Sequence, residues 1–236
     1  MLAKAAGWQI VGRNVASRVK PPRIVHREMR VLSPDEVHRL FAVARGSRLE
    51  ALWRLAIGSG MRLGEMLALS WERTDLAKGI ARVEVSLERD PQRGLVETEP
   101  KTRSSRRSIH LSPSVVEALR YHRAKQTEER LKLGSTWVDS GYVFTTVTGT
   151  PVNPNNVGRR DFRPLLQAAE IVGHVRIHDL RHTAISLALS AGVSPTDVAQ
   201  MAGHSSVAVT LQRYAHALPE APRRAADAIE NLVGMD

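Results

Sequence analysis

Residues 178–216 read HDLRHTAISLALSAGVSPTDVAQMAGHSSVAVTLQRYAH, and the way this stretch divides decides the fold. His178 and Arg181 stand three residues apart, which on a helix places both on one face. An apolar run from Ala184 to Ala191 continues that helix, and Gly192 closes it. Ser194-Pro195 starts a new helix, the serine capping it and the proline taking its first position. Gly203-His204-Ser205 interrupts, and Val207 to Ala215 reads as a further helix carrying Tyr214. Short helices and turns thus deliver a histidine, an arginine, a second histidine and a tyrosine in order. No packing rule requires that set.

Upstream, Ser33-Pro34-Asp35-Glu36 is a capping box with proline at the first helical position, and Leu40, Phe41 and Val43 are expected on the buried face of its helix. A second helix, about Leu49 to Ile57, ends at Gly58-Ser59-Gly60, and Arg62 opens the next. An arginine at a helix start is repelled by the dipole, so Arg62 reads either as a surface partner of Glu65 or as a phosphate ligand placed there with the dipole. From Gly79 the period changes to two: Ala81, Val83 and Val85 alternate with polar residues. Asp90 to Gly94 is a turn, Leu95 to Glu99 a second strand and Arg107 to Leu111 a third. The expected fold is α+β and mostly α-helical, with a small three-stranded antiparallel sheet.

Lys101, Arg103, Arg106 and Arg107 crowd the turn between the last two strands, a run suited to duplex phosphates; Arg103 and Arg106 read equally as a solvated face or as such contacts. Ser112-Pro113 begins a long helix with Val115, Val116, Leu119 and Leu131 on its apolar side. Arg159, Arg160 and Arg163, on the helix begun by Asn153-Pro154, carry the same two readings. Pro219 to Pro222 is a hinge before a last amphipathic helix over 223–234.

The chain has 236 residues, 42% hydrophobic and 25% charged, as in soluble globular proteins. It carries no apolar run of membrane-spanning length and no signal-peptide core, so a membrane partner is not expected. Without cysteine it forms no disulfide or thiolate metal site, which fits a reducing cytoplasm. A formal charge of +10 points to a polyanion, and 4% aromatic residues favour duplex over stacked single strands.

The motif His178-x-x-Arg181, then Gly203-His204, then Tyr214 resembles the C-terminal signature of the tyrosine recombinases, the phage-integrase family. Gly60-Met61-Arg62-Leu63-Gly64-Glu65 is similar to that family's first-arginine motif, and Pro100-Lys101-Thr102 with Ser105 and Arg107 to its lysine hairpin. The likeness runs from about residue 31 to 216, with every motif in the family's order. It implies an integrase-like catalytic domain over 31–236 with a C-terminal tail helix. Residues 1–30, with seven basic side chains against Glu28, are expected to be the remnant of a preceding DNA-clamping domain plus its Pro21-Pro22 linker.

The resemblance implies site-specific cleavage and rejoining of double-stranded DNA through a 3′-phosphotyrosyl intermediate, with no cofactor, metal or ATP. Tyr214 is the expected nucleophile. Arg62 and Arg181 clamp the non-bridging oxygens with a fork that lysine cannot copy, and His204 adds a donor. His178 is implied to assist proton removal from Tyr214, and Lys101 to protonate the departing 5′ oxygen. His182 and His216 read as structural. A tetramer on synapsed sites, an accessory DNA-bending protein and a cytoplasmic, nucleoid-associated prokaryotic or phage setting are further implications. Three other readings stand beside this one, the first being that fold and site are intact but the chain is inactive alone without the preceding clamping domain. Ser194 to Ala215 also scans as a helix-turn-helix, which makes the chain a non-catalytic regulator reading bases with Gln212 and Arg213. A type IB topoisomerase shares a similar constellation.

Overall fold

The structure, a computed structural model, describes residues 2–19, 29–99 and 106–217, together with 230 and 234. The Pro21-Pro22 linker, Lys101, Arg103 and nearly all of the expected last helix lie outside the described residues.

A short helix α1 (Leu2–Gly7) precedes the main body, which begins with α2 (Pro34–Ala44). The expected capping box is formed: Ser33 Oγ accepts from the Glu36 amide at 3.2 Å, and Glu36 Oε2 from the Ser33 amide at 2.9 Å. Val37, Leu40 and Ala44 make the buried stripe, whereas Val43 is on the outer face. Helix α3 (Glu50–Ser59) is the centre of the core and packs against α5 (Pro113–Leu133) and α8 (Ile177–Ser190). Trp53 of α3 lies 5.4 Å, centroid to centroid, from Phe162. On α5, His122 and Gln126 turn inward with Leu119, and both bond to the carbonyl of Val143. Leu131 points to solvent, contrary to its expected place on the apolar side.

The β region differs from the expectation in its pairing. Strands β1 (Thr74–Asp75), β2 (Ile80–Val83) and β5 (Arg107–His110) form the three-stranded antiparallel sheet, in the order β1-β2-β5. The segment expected as its middle strand is instead half of a separate hairpin, β3 (Ser86–Asp90) with β4 (Gly94–Thr98). The turn dictates this: Asp90 pairs with Gly94, so each residue before the turn finds its partner just after it. Asp90 Oδ1 fastens the turn by accepting from the amides of Gln92 and Arg93.

The C-terminal third follows the sequence closely. A continuous helical stretch runs through α6 (Pro154–Asn156), a π-helical segment (Val157–Phe162) and α7 (Arg163–Ala168). Then come α8, α9 (Pro195–Ala202) and α10 (Val207–Tyr214), with α9 packed on α8, α10 and β5. Ser194 caps α9 by accepting from the Asp197 amide at 3.1 Å.

Candidate active site

A cleft of about 570 Å³ opens where α4 (Leu63–Leu67), the β3–β4 hairpin, α8 and the α9–α10 turn meet. Arg62, His178, Arg181, His182, His204, Arg213 and Tyr214 line it.

Arg62 reaches the cleft because α3 stops sharply. Gly60 takes the left-handed conformation at φ 61°, which a side chain would strain, and Arg62 becomes the N-cap of α4. Glu65, in the first turn of α4, accepts from the Arg62 amide at 2.9 Å and from Arg62 Nη1 at 2.8 Å. The carboxylate offsets the repulsion between the guanidinium and the helix dipole. With 42% of its side chain exposed, Arg62 can still turn to an incoming anion.

Arg181 is held from the opposite side and is 3% exposed. Nη1 donates to the carbonyl of Gly60 and Nη2 to that of Ala202, each at 2.7 Å. These carbonyls terminate α3 and α9, so two helix C-termini, each the negative end of its dipole, hold one guanidinium. Two of its five N–H groups are used in this way among the described residues. Burial, reinforced by the charge of Arg62, pushes its pKa down to about 10. The two guanidiniums thus converge with only part of their charge compensated, which is the condition of an anion site.

His204 follows Gly203, the left-handed cap of α9, and its Nδ1 lies 2.7 Å from Thr210 Oγ1 on α10. Burial, then Arg181 and Arg62, push its pKa down to about 4, so it is neutral at pH 7. Its ring is nearly parallel to that of Tyr214, with centroids 6.4 Å apart. Tyr214 is the last residue of α10 and only 1% exposed. Burial raises its pKa, although Arg181 and Arg213 pull the other way. Its hydroxyl is hydrogen-bonded to His182 Nδ1.

The profile of the phage integrase family matches residues 30–221. The chain belongs to the phage integrase family. This integrase-family chain is similar to a XerC-like tyrosine recombinase of Caldanaerobacter subterraneus, at 30% identity over 94% of the chain and 59% of the relative. An integrase of Saccharopolyspora erythraea is 27% identical over 92% of the chain and 61% of the relative. The chain therefore spans about three-fifths of the length of these relatives. The Tn1549 transposon integrase, solved with a circular intermediate DNA, has a similar fold: the TM-score is 0.76 at 20% identity, over 96% of this chain and 75% of that one. XerA recombinase gives 0.65 at 26% identity, over 89% and 67%.

Of the predicted site residues of this integrase-family chain, Arg62, His178, Arg181, His204 and Tyr214 come together in the one cleft. Lys101 and Arg103 lie outside the described residues. Arg106 is exposed and paired with Glu99 at 3.3 Å, and Arg159 and Arg160 are exposed on the π-helical segment. Three expectations need correction. Arg107 is not a surface cation for DNA: its side chain is 5% exposed and bound to Glu65, whose own pKa stays low because Arg107 and Arg62 outweigh the effect of burial. Arg213, a base reader under the regulator reading, lines the cleft beside Tyr214. Finally, the imidazole on the Tyr214 hydroxyl is His182 rather than His178, which packs edge-on against His182 at 4.7 Å. The sequence signal for His182 was its place one turn after His178 on the same helical face.

The cleft histidines make stability depend on pH. Burial, acting first in each case, lowers the pKa of His178, His182 and His204 from the ordinary 6.5, the last two to about 4. The unfolded chain therefore binds protons that the folded cleft rejects, so this contribution is complete above pH 6.5 and is lost as pH falls towards 4. Melting curves between about pH 7.5 and 4.5 are expected to show Tm falling below about 6.5. The fall shrinks in His204→Gln. An unchanged profile in that variant would contradict the assignment.

Proposed function

We propose that this chain is the catalytic part of a site-specific recombinase that cleaves and rejoins double-stranded DNA through a 3′-phosphotyrosyl link, without metal or ATP. The observation that carries the reading is the convergence of Arg62 and Arg181, from segments 119 positions apart in sequence, on one cleft with Tyr214. A phosphodiester placed there meets two guanidiniums at its non-bridging oxygens, charge stabilisation that grows as the pentacovalent state forms. His204 adds to this as a neutral donor in the tautomer whose Nδ1 accepts from Thr210, since that tautomer carries its proton on Nε2, available to the phosphate.

Tyr214 Oη attacks phosphorus, the P–O5′ bond breaks, and Lys101 supplies a proton to the 5′ oxygen. Attack by a 5′-hydroxyl of a second duplex reverses the step, so bond energy is conserved and no nucleotide hydrolysis is required. The relatives named as tyrosine recombinase and integrase support this activity, as does the DNA-bound state of the Tn1549 integrase. The charge of +10 suits a duplex. Exchange between two sites calls for four active sites, hence a tetramer on synapsed DNA, with an accessory DNA-bending protein where the site must be curved.

The test uses nicked suicide duplexes with a randomised core. Members captured covalently by the full chain are sequenced, and the recovered sequence becomes the substrate. A band surviving a denaturing gel is expected for the unaltered chain and is expected to vanish in Tyr214→Phe. Duplex binding without any adduct, by this chain and equally by a longer form that carries a preceding DNA-clamping domain, would favour the helix-turn-helix regulator.

A further inference from the structure

We propose that Tyr142 and Glu97 form a clasp that fixes the β3–β4 hairpin against the body and so positions the chain that continues from it for the leaving-group step. Both are positioning residues, and the inference rests on the strand-cleavage reading above, in which Lys101 protonates the 5′ oxygen. It starts from the two faces of the hairpin. Residues directly opposite one another in an antiparallel pair lie on the same face. Ser86 is opposite Thr98, Leu87 opposite Glu97 and Arg89 opposite Leu95. Ser86, Glu88 and Thr98 line the cleft, so their face is part of its wall. On the other face Leu87, 3% exposed, and Leu95 pack into the core. Glu97 belongs to this inner face.

The hairpin is fastened to the body from both strands. β3 abuts α4, the helix that Arg62 caps: a Cβ at Gly64 would come within 2.9 Å of the Leu87 carbonyl oxygen. β4 is fastened through Glu97, whose Oε1 accepts from the Tyr142 hydroxyl at 2.8 Å and lies 3.8 Å from Arg73 Nη1. Arg73 is itself held by Glu84, at 3.1 Å from its Nε. Tyr142 is a firm anchor because the backbone is paired on either side of it. The Trp71 amide donates to the Gly141 carbonyl at 3.1 Å, and the Val143 amide to that of Leu69 at 2.8 Å. Burial, then the bond to Glu97, push the Tyr142 phenol up to about 12, so its hydroxyl keeps the proton it donates.

Lys101 stands four positions after Glu97 in the sequence. The chain runs from β4 straight into residues 100–105, so the place where β4 ends sets the place where they begin. A displacement of about 1 Å at a reacting group costs up to about 10²-fold in rate. Loss of one charge-assisted hydrogen bond is a smaller disturbance, and about a tenfold loss is expected. The loss falls on protonation of the 5′ oxygen, because Arg181 and Tyr214 are mounted on α8 and α10 and not on the hairpin.

The experiment is single-turnover cleavage by the full chain on the captured nicked duplex, with two forms of the scissile bond. One is the ordinary phosphodiester; the other is a 5′-bridging phosphorothiolate, whose sulfur leaves without a proton. Tyr142→Phe, which keeps the ring and removes only the hydroxyl, is expected to be about tenfold slow on the first and to match the unaltered chain on the second. Gel-shift affinity should not change. Glu97→Ala is expected to behave alike, and the double variant to be no slower than either, since each breaks the same bond. Glu97→Gln, whose amide oxygen still accepts from the hydroxyl, should lose less. Hydrogen exchange without DNA reads the clasp directly: amides of residues 86–98 are expected to exchange faster in Tyr142→Phe, with the rest of the chain unchanged. Unchanged exchange there overturns the proposal, as does a cleavage defect of equal size on both substrates, which would mark a general structural loss. Faster exchange with undiminished cleavage overturns it too, because the position of the hairpin then does not govern the step. Lys101→Ala is the reference for a lost acid. If sulfur does not relieve that variant, or the unaltered chain forms no adduct, the fault lies with the cleavage reading, and exchange still decides whether the clasp holds the hairpin.

Discussion

Arg181→Ala is expected to slow covalent cleavage by about 10³-fold while changing duplex affinity only a few-fold. The asymmetry follows from where the guanidinium sits. Phosphate contacts along a duplex are shared among many cations on the surface of so basic a chain. Arg181, in contrast, is buried and reaches only what enters the cleft. Its stabilisation is largest when charge accumulates on the non-bridging oxygens, so its loss is a loss of rate. Substitution also strands the carbonyls of Gly60 and Ala202. Leaving a buried acceptor unpaired costs about 1–3 kcal/mol, so the variant should also melt earlier. Arg181→Lys separates the two effects. A lysine retains the charge and can satisfy one carbonyl, but it lacks the planar fork that holds two carbonyls and still faces a phosphate. It is expected to recover part of the stability and little of the rate. Single-turnover cleavage at saturating protein, beside gel-shift titrations, reads both quantities. Equal losses in binding and cleavage would show that Arg181 is one more DNA contact.

What could be read from the sequence was what neighbours determine. The caps at Ser33 and Ser194, the stop at Gly60 and the breaks around Gly192 and Gly203 depend on a few adjacent residues, and the structure has them. The convergence of Arg62, Arg181, His204 and Tyr214 was reached through motif order rather than through any contact a single sequence displays. Apart from the helix faces of Val43 and Leu131, the errors share one cause: long-range partners. The hairpin over 86–98 was mispaired because alternation identifies strands but not their neighbours. Spacing placed His178 and His182 on one face of α8. Which of them meets a hydroxyl 32 positions on depends on how α10 packs, and local pattern is silent about that. Arg107 stands in a run of cations, and such a run ordinarily faces water. Its burial is decided by Glu65, 42 positions away, and by the Met201 carbonyl, 94 positions away.

Arg107→Met is therefore expected to behave as a defect of the active site and not of DNA binding. Nε of Arg107 donates to the Met201 carbonyl at 2.7 Å, and its Nη2 to Glu65 Oε2 at 2.8 Å. One side chain thus links the end of α9 to the carboxylate that positions Arg62. The fit around it is close, since a Cβ at Gly203 would come within 2.8 Å of Arg107 Nη1. Removing the guanidinium leaves the Glu65 carboxylate, 5% exposed, with less compensation, and breaking a buried pair in this way costs about 3–5 kcal/mol. Replacing both partners, in Glu65→Gln with Arg107→Met, is expected to restore part of that stability because no buried charge is stranded. It should not restore cleavage: a glutamine cannot accept from both the amide and the guanidinium of Arg62 as the two carboxylate oxygens do. Urea melts of the single and double variants measure the coupling, and suicide-duplex cleavage measures the rate. The salt dependence of binding separates this account from the surface-cation expectation. A phosphate contact contributes about one unit to the slope of log K against log salt, so Arg107→Met should leave that slope unchanged where a true backbone contact would lower it. Were the slope to fall and cleavage to survive in the double variant, Arg107 would be a DNA ligand after all, and the support of Arg62 would have to come from elsewhere.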